Sequence, residues 1–129
     1  MKPIEFTKEM KILSLSYNKD FDEETITLWY EQFKEINKDY LHNAVKKIIV
    51  NNKYLPSIAE LLDKCREEQK LAEKEVLEKM YNDNYFKESR EYEKVLNWLE
   101  KGIIPLWLLE DMRQYYSTKM LPNKKLIGE

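Results

Sequence analysis

Few groups in this chain could do covalent or metal chemistry. There is one histidine, one cysteine, and a spread of carboxylates among basic residues. His42 stands one helical turn before Lys46, a pair that could contact a phosphate or serve as a general base. Base catalysis needs a nucleophile or second acid–base group at a usable spacing, and none accompanies His42, which reads as a surface histidine. Cys65 has no disulfide partner and no companion thiols for a zinc site. It fits a helical core position as a small hydrophobe. The densest carboxylates, Asp20, Asp22, Glu23 and Glu24, lack the alternation and the glycine of a calcium loop. They precede a helix whose N-terminus favours negative charge. Two glycines are too few for Gly-rich phosphate loops. The residues therefore predict a chain with no catalytic group, no metal site and no cofactor, and so not an enzyme.

Binding chemistry is better represented. Trp29 and Tyr30 could form a stacking platform, but they sit in the stripe Ile26, Trp29, Tyr30, Phe33 and Ile36, whose spacing is that of a buried helix face. Lys46, Lys47 and Lys53, with Tyr54, could touch nucleic acid, or could be an ordinary solvated face. The richest set lies near the C-terminus: Trp98, Ile103, Ile104, Trp107, Leu108, Tyr115 and Tyr116. Two helices cannot bury all of that apolar surface against each other. The remainder docks on the rest of the chain or on another protein, for which Trp and Tyr are favoured anchors.

The elements that position these residues read as helices throughout. A first helix is expected from Thr7 as N-cap, with Met10, Leu13 and Tyr17 inward, ending at Asn18. A second starts between Asp22 and Thr25. A third, capped by Asn37 or Asp39, buries Leu41, Ala44, Val45, Ile48 and Ile49. Pro56 forbids helix at Leu55, and Ser57 with Glu60 forms a capping box that opens helix four. Helix four begins apolar (Ile58, Leu61, Leu62, Cys65) and becomes charged, keeping only a thin stripe of Ala72, Val76, Leu77 and Met80. Asn82-Asp83-Asn84 breaks it. A fifth helix carries Tyr85, Tyr92, Val95, Leu96 and Leu99 on one side, with Trp98 beside them, and ends at Gly102; Pro105 opens a sixth.

The fold class is thus all-α: a small N-terminal helical bundle over residues 1–66, a long charged helix four whose arm covers 67–84, a C-terminal pair of aromatic-rich helices over 85–118, and a flexible tail over 119–129. The 129 residues are 36% charged and 43% hydrophobic, which allows a modest core. The formal net charge of −2, with acids and bases interleaved, makes direct nucleic-acid binding unexpected. No signal peptide or membrane span is evident, and a cytoplasmic protein is expected.

Three blocks in the first half carry a family resemblance: Trp29-Tyr30, the face Leu41, Ala44 and Val45, and Pro56-Ser57-Ile58-Ala59-Glu60-Leu61. In this order they resemble the N-terminal domain of phage replicative-helicase loader/inhibitor proteins. That resemblance implies a DNA-replication accessory protein whose partners are a hexameric replicative helicase and an origin-binding initiator. It implies a compact helical N-terminal domain, and helicase contact through a more mobile C-terminal part. Other loaders are ATPases, and this chain lacks their phosphate loop, so the implied mode of action is stoichiometric binding. The ordered aromatic helices expected here depart from the family's largely unstructured tail. Two other readings stay open: a nucleic-acid-binding regulator that uses helices three and four as a helix-turn-helix, and an adaptor for a different protein partner.

Overall fold

The computed structural model describes residues 1–115. Tyr116 and the tail expected over 119–129 lie outside the described residues. The chain is all-α, with six helices among the described residues: α1 (Pro3–Tyr17), α2 (Glu23–Phe33), α3 (Lys38–Asn51), α4 (Ile58–Asn82), α5 (Ser89–Lys101) and α6 (Leu106–Tyr115). It divides into two compact units, Met1–Gln69 and a second that begins at Lys70.

The first unit is held by the inward faces of α1, α2, α3 and the opening turns of α4. Its core comprises Phe6, Met10, Leu13, Trp29, Phe33, Leu41, Ala44, Val45, Ile48, Leu61 and Cys65. The α2 stripe is core rather than platform: Phe33 is fully buried, and Trp29 is 9% exposed. Phe21 packs back onto the same cluster, its ring centroid 6.1 Å from that of Trp29.

Two helix starts differ from the sequence expectation. α5 begins at Ser89, which leaves Tyr85 in the preceding turn, its N–H donating to the Met80 carbonyl at 2.9 Å. α1 begins at Pro3, not after Thr7. Pro3 is pre-organised for a first helical position, and the Glu5 carboxylate accepts the Lys2 N–H at 2.8 Å. Thr7 sits mid-helix, its hydroxyl donating to the Pro3 carbonyl at 2.9 Å. The extra turn brings Phe6 into the core, stacked against Phe33 with centroids 5.7 Å apart. At the far end of α1, the Tyr17 hydroxyl lies 2.9 Å from the Asn52 carbonyl and 3.1 Å from that of Ile48. It supplies a further donor at the C-terminal end of α3, where the Ile48 carbonyl also accepts the Asn52 N–H at 2.7 Å.

The remaining caps follow the sequence. The Thr25 N–H donates to Asp22 Oδ1 at 2.8 Å, and the Asp39 N–H donates to Asn37 Oδ1 at 2.7 Å. At α4 the capping box is reciprocal: the Glu60 N–H donates to Ser57 Oγ at 3.1 Å, and the Ser57 N–H to Glu60 Oε1 at 2.8 Å.

The second unit uses the later turns of α4 as one of its helices. Val76, Leu77 and Met80, members of the thin stripe, are fully buried and share a core with Phe86, Val95, Leu99, Leu108 and Met112. A narrow stripe suffices because only one face of that helix needs cover; the charged flanks stay in water. Tyr81 stacks on Tyr92 with centroids 4.4 Å apart. The Tyr115 hydroxyl donates to Asp83 and lies 3.2 Å from the Lys79 carbonyl, tying α6 to the end of α4.

Two outcomes test this account. Phe6→Ala should cost about 3–5 kcal/mol by urea denaturation, as expected of a filled core position; a near-neutral effect would mean that α1 starts after it. The Asp22 carboxyl is held below its ordinary value of 3.8 by its hydrogen bond to Thr25. The unfolded chain therefore binds that proton more readily, so this stabilisation is complete above 3.8 and disappears as pH falls through the lower folded value. Asp22→Ala should flatten that acid limb of the stability curve and lower the plateau above it.

Candidate partner-binding surface

The C-terminal aromatic residues are positioned by two helix ends. Gly102 adopts φ +70°, the left-handed conformation that suits a residue without Cβ. Its N–H donates to the Leu99 carbonyl at 3.1 Å, and the Ile103 N–H donates to the Trp98 carbonyl at 3.0 Å. This pair of bonds is a Schellman motif, which turns the chain back and sets Ile103 beside Trp98. Pro105 then starts the next helix, its carbonyl accepting from Leu108 and Leu109 at 3.1 and 3.0 Å. The sixth helix so placed directs Leu108 and Met112, one turn apart, into the core.

The seven residues singled out from sequence separate by role. Leu108 is fully buried, and its side chain serves the core. Ile104 and Tyr115 are half-buried against the same cluster. Trp98 is half-buried, whereas Ile103 and Trp107 are 57% and 56% exposed. Tyr116 lies outside the described residues. Leu106, which the sequence reading passed over, is 66% exposed beside them. Helical period could have found it: with Leu108 and Met112 inward, residues 106 and 107 must face out.

Of these residues, Trp98 and Trp107 line a groove of about 440 Å³, together with Phe86, Val95, Lys87 and Lys94. Lys94 Nζ stands 5.6 Å from the Trp98 ring centroid, a cation over an aromatic face. Tyr85 closes one side. Its hydroxyl donates to Asp111, and burial, followed by that bond, pushes its pKa up to about 12. Tyr85 therefore stays a neutral fixed wall. The surface can offer apolar area, ring faces and two ammonium groups, which is the equipment of a binding site.

The other candidates have other partners. Lys47 Nζ is 2.6 Å from Glu68 Oε2, and Glu68 is buried, so Lys47 is committed within the first unit. Lys53 Nζ lies 5.8 Å from the Tyr54 ring centroid; Tyr54 is 75% exposed, and Lys46 is exposed. The connector between α3 and α4 spans residues 52–57, longer than the turn of a helix-turn-helix. His42 Nδ1 pairs with Glu9 Oε2 at 2.9 Å, linking α3 to α1. Burial pushes the Cys65 thiol up to about 12, which leaves it protonated and inert. Among the described residues, no three His, Cys, Asp or Glu side chains come together as a metal-binding group, and no helix is long and apolar enough to cross a membrane.

The class these features define is an all-α protein of two helical units, the second carrying an exposed aromatic corner. Comparison with known families then places the first half: residues 1–62 match the model of the N-terminal domain of gp39, a phage helicase loader/inhibitor protein. Residues 1–62, just under half of the chain, are thus similar to that domain. The matched span contains all three sequence blocks: Trp29-Tyr30, the α3 face, and the α4 capping box. Comparisons with curated proteins and with solved structures gave no match.

The division between core and surface is directly measurable. Leu108→Ala should cost about 2–5 kcal/mol of stability, whereas Trp107→Ala should stay within about 1 kcal/mol. Guanidinium denaturation of the two variants compares them; equal losses would mean that Trp107 is core.

Proposed function

We propose that this chain is a non-enzymatic DNA-replication accessory protein that binds a hexameric replicative helicase stoichiometrically, in the cytoplasm of a phage-infected bacterium. The second unit contacts the helicase through Trp98, Ile103 and Trp107, joined by Leu106. The N-terminal bundle contacts an origin-bound initiator. The observation that carries this reading is the exposed Trp107 corner on an otherwise well-packed unit, in a chain whose residues 1–62 resemble a loader-type domain.

Ile103, Leu106 and Trp107 are all more than half exposed and neighbours along the chain, although Leu108 beside them is buried. Full burial of one such side chain stabilises by about 1.5–3 kcal/mol, so a partner that covers all three gains a useful binding core. A protein without a nucleotide engine can still hold a helicase inactive: it needs only to bind one helicase state more tightly than another. Delivery then follows when the initiator competes for either protein.

The test is size-exclusion chromatography with light scattering of the full chain mixed with the replicative helicase and ATP. Co-elution at a defined ratio is expected, and separate elution with each helicase of the phage and its host would sink the reading. Trp107→Ala should weaken binding by about 2 kcal/mol while leaving the melting temperature nearly unchanged. Full-strength binding by that variant would remove the second unit from the contact.

A further inference from the structure

We propose that the groove of the second unit receives one large apolar side chain from an acidic segment of the partner protein. This rests on the reading above, that the second unit makes the partner contact, and adds the chemistry the partner must present.

The floor of the groove is rigid. Phe86 and Val95 are 8% and 4% exposed, so they are core residues whose outer faces line it. Trp98 and Trp107 stand as aromatic walls. A volume of about 440 Å³ lies within the range of roughly 300–1,000 Å³ typical of ligand pockets, enough for a bulky side chain and part of its backbone.

The charge at the mouth selects the segment. Three charged residues line the groove: Lys87, Glu91 and Lys94. Glu91 is already used, because its Oε1 accepts the Lys87 N–H at 2.9 Å in the first turn of α5, where the helix dipole also favours it. Neither Lys87 nor Lys94 forms an ion pair among the described residues. The charge left for a partner is therefore positive. Lys94, held over the Trp98 ring, can pair with a carboxylate while the neighbouring apolar side chain enters beneath it. A basic segment would place like charges together at this mouth, which disfavours it.

The same chain carries one rival occupant. On α2, Leu28 is 59% exposed within a surface depression lined also by Glu23, Glu24 and Glu31. A second copy could offer that face, and the test separates it from a foreign partner.

The probe is a display library of random short peptides selected on the full chain. Enrichment of peptides with a large apolar residue flanked by Asp or Glu is expected. Their affinity should fall about tenfold or more in Lys94→Glu and again in Trp107→Ala, with unchanged circular dichroism and melting. No enrichment, enriched peptides without acids, or affinity indifferent to both changes would overturn the proposal. Helicase binding is measured alongside. Helicase held equally by wild type and Lys94→Glu would overturn the groove assignment while leaving the loader reading intact. Acidic peptides bound without any helicase binding would support the groove and sink the loader reading. Concentration-dependent doubling of mass that Lys94→Glu abolishes would assign the groove to a second copy and overturn the partner proposal.

Discussion

A charged helix with one narrow apolar stripe must find cover along that stripe and nowhere else. In α4, 25 residues long, this constraint organises the whole chain. The first turns give Leu61 and Cys65 to one core; the later turns give Val76, Leu77 and Met80 to another. Neither cluster could be completed without its share of α4. In the second, α5 and α6 alone would leave their inward faces, Val95, Leu99, Leu108 and Met112, without a third side. The charged flanks hold the helix soluble where it is uncovered, so the stripe can be thin without being weak.

Polar groups then set where each packed element begins and ends. Asp22, Asn37 and the Ser57–Glu60 box satisfy N-terminal donors, while Tyr17 reaches from α1 to the C-terminal carbonyls of α3. The ends of α4 and α5 use one device. At both, a left-handed residue, Asn84 or Gly102, closes a Schellman motif. The first such turn leads into Tyr85 and Phe86, and the second leads into Ile103 and toward Trp107. Both turns thus deliver aromatic or apolar residues to the groove region, so helix termination and surface construction are one event here.

The proposed contact surface follows from which apolar residues these turns leave outside. Packing accepts Leu108 and Met112 because they lie one turn apart on the inner face of α6. Residues 106 and 107 point elsewhere on the same helix and stay in water. The first unit has spent its aromatic residues differently. Phe21, Trp29, Phe33, Phe6 and Tyr30 form a succession of ring contacts that bind α2 to α1. Aromatic content alone therefore says little about binding. What distinguishes the Trp107 corner is exposure on a unit that is already packed.

Local chemistry written in the chain was enough to determine the helices, most of their caps, the breaks at Asn82–Asn84 and Gly102, and the family that residues 1–62 resemble. These features depend on neighbours a few residues away, so a linear reading captures them. It misjudged the start of α1, because Thr7 is a good N-cap type while Pro3 and Glu5 together form a better helix start. It also grouped Leu108 with Trp107, since adjacent residues differ in exposure only once a helix has a definite neighbour. Tertiary packing alone decided that Lys47 is taken by Glu68, that His42 pairs with Glu9, and that the later turns of α4 serve as a wall of the second core. Each of these depends on contacts between residues far apart in sequence, which no local pattern encodes.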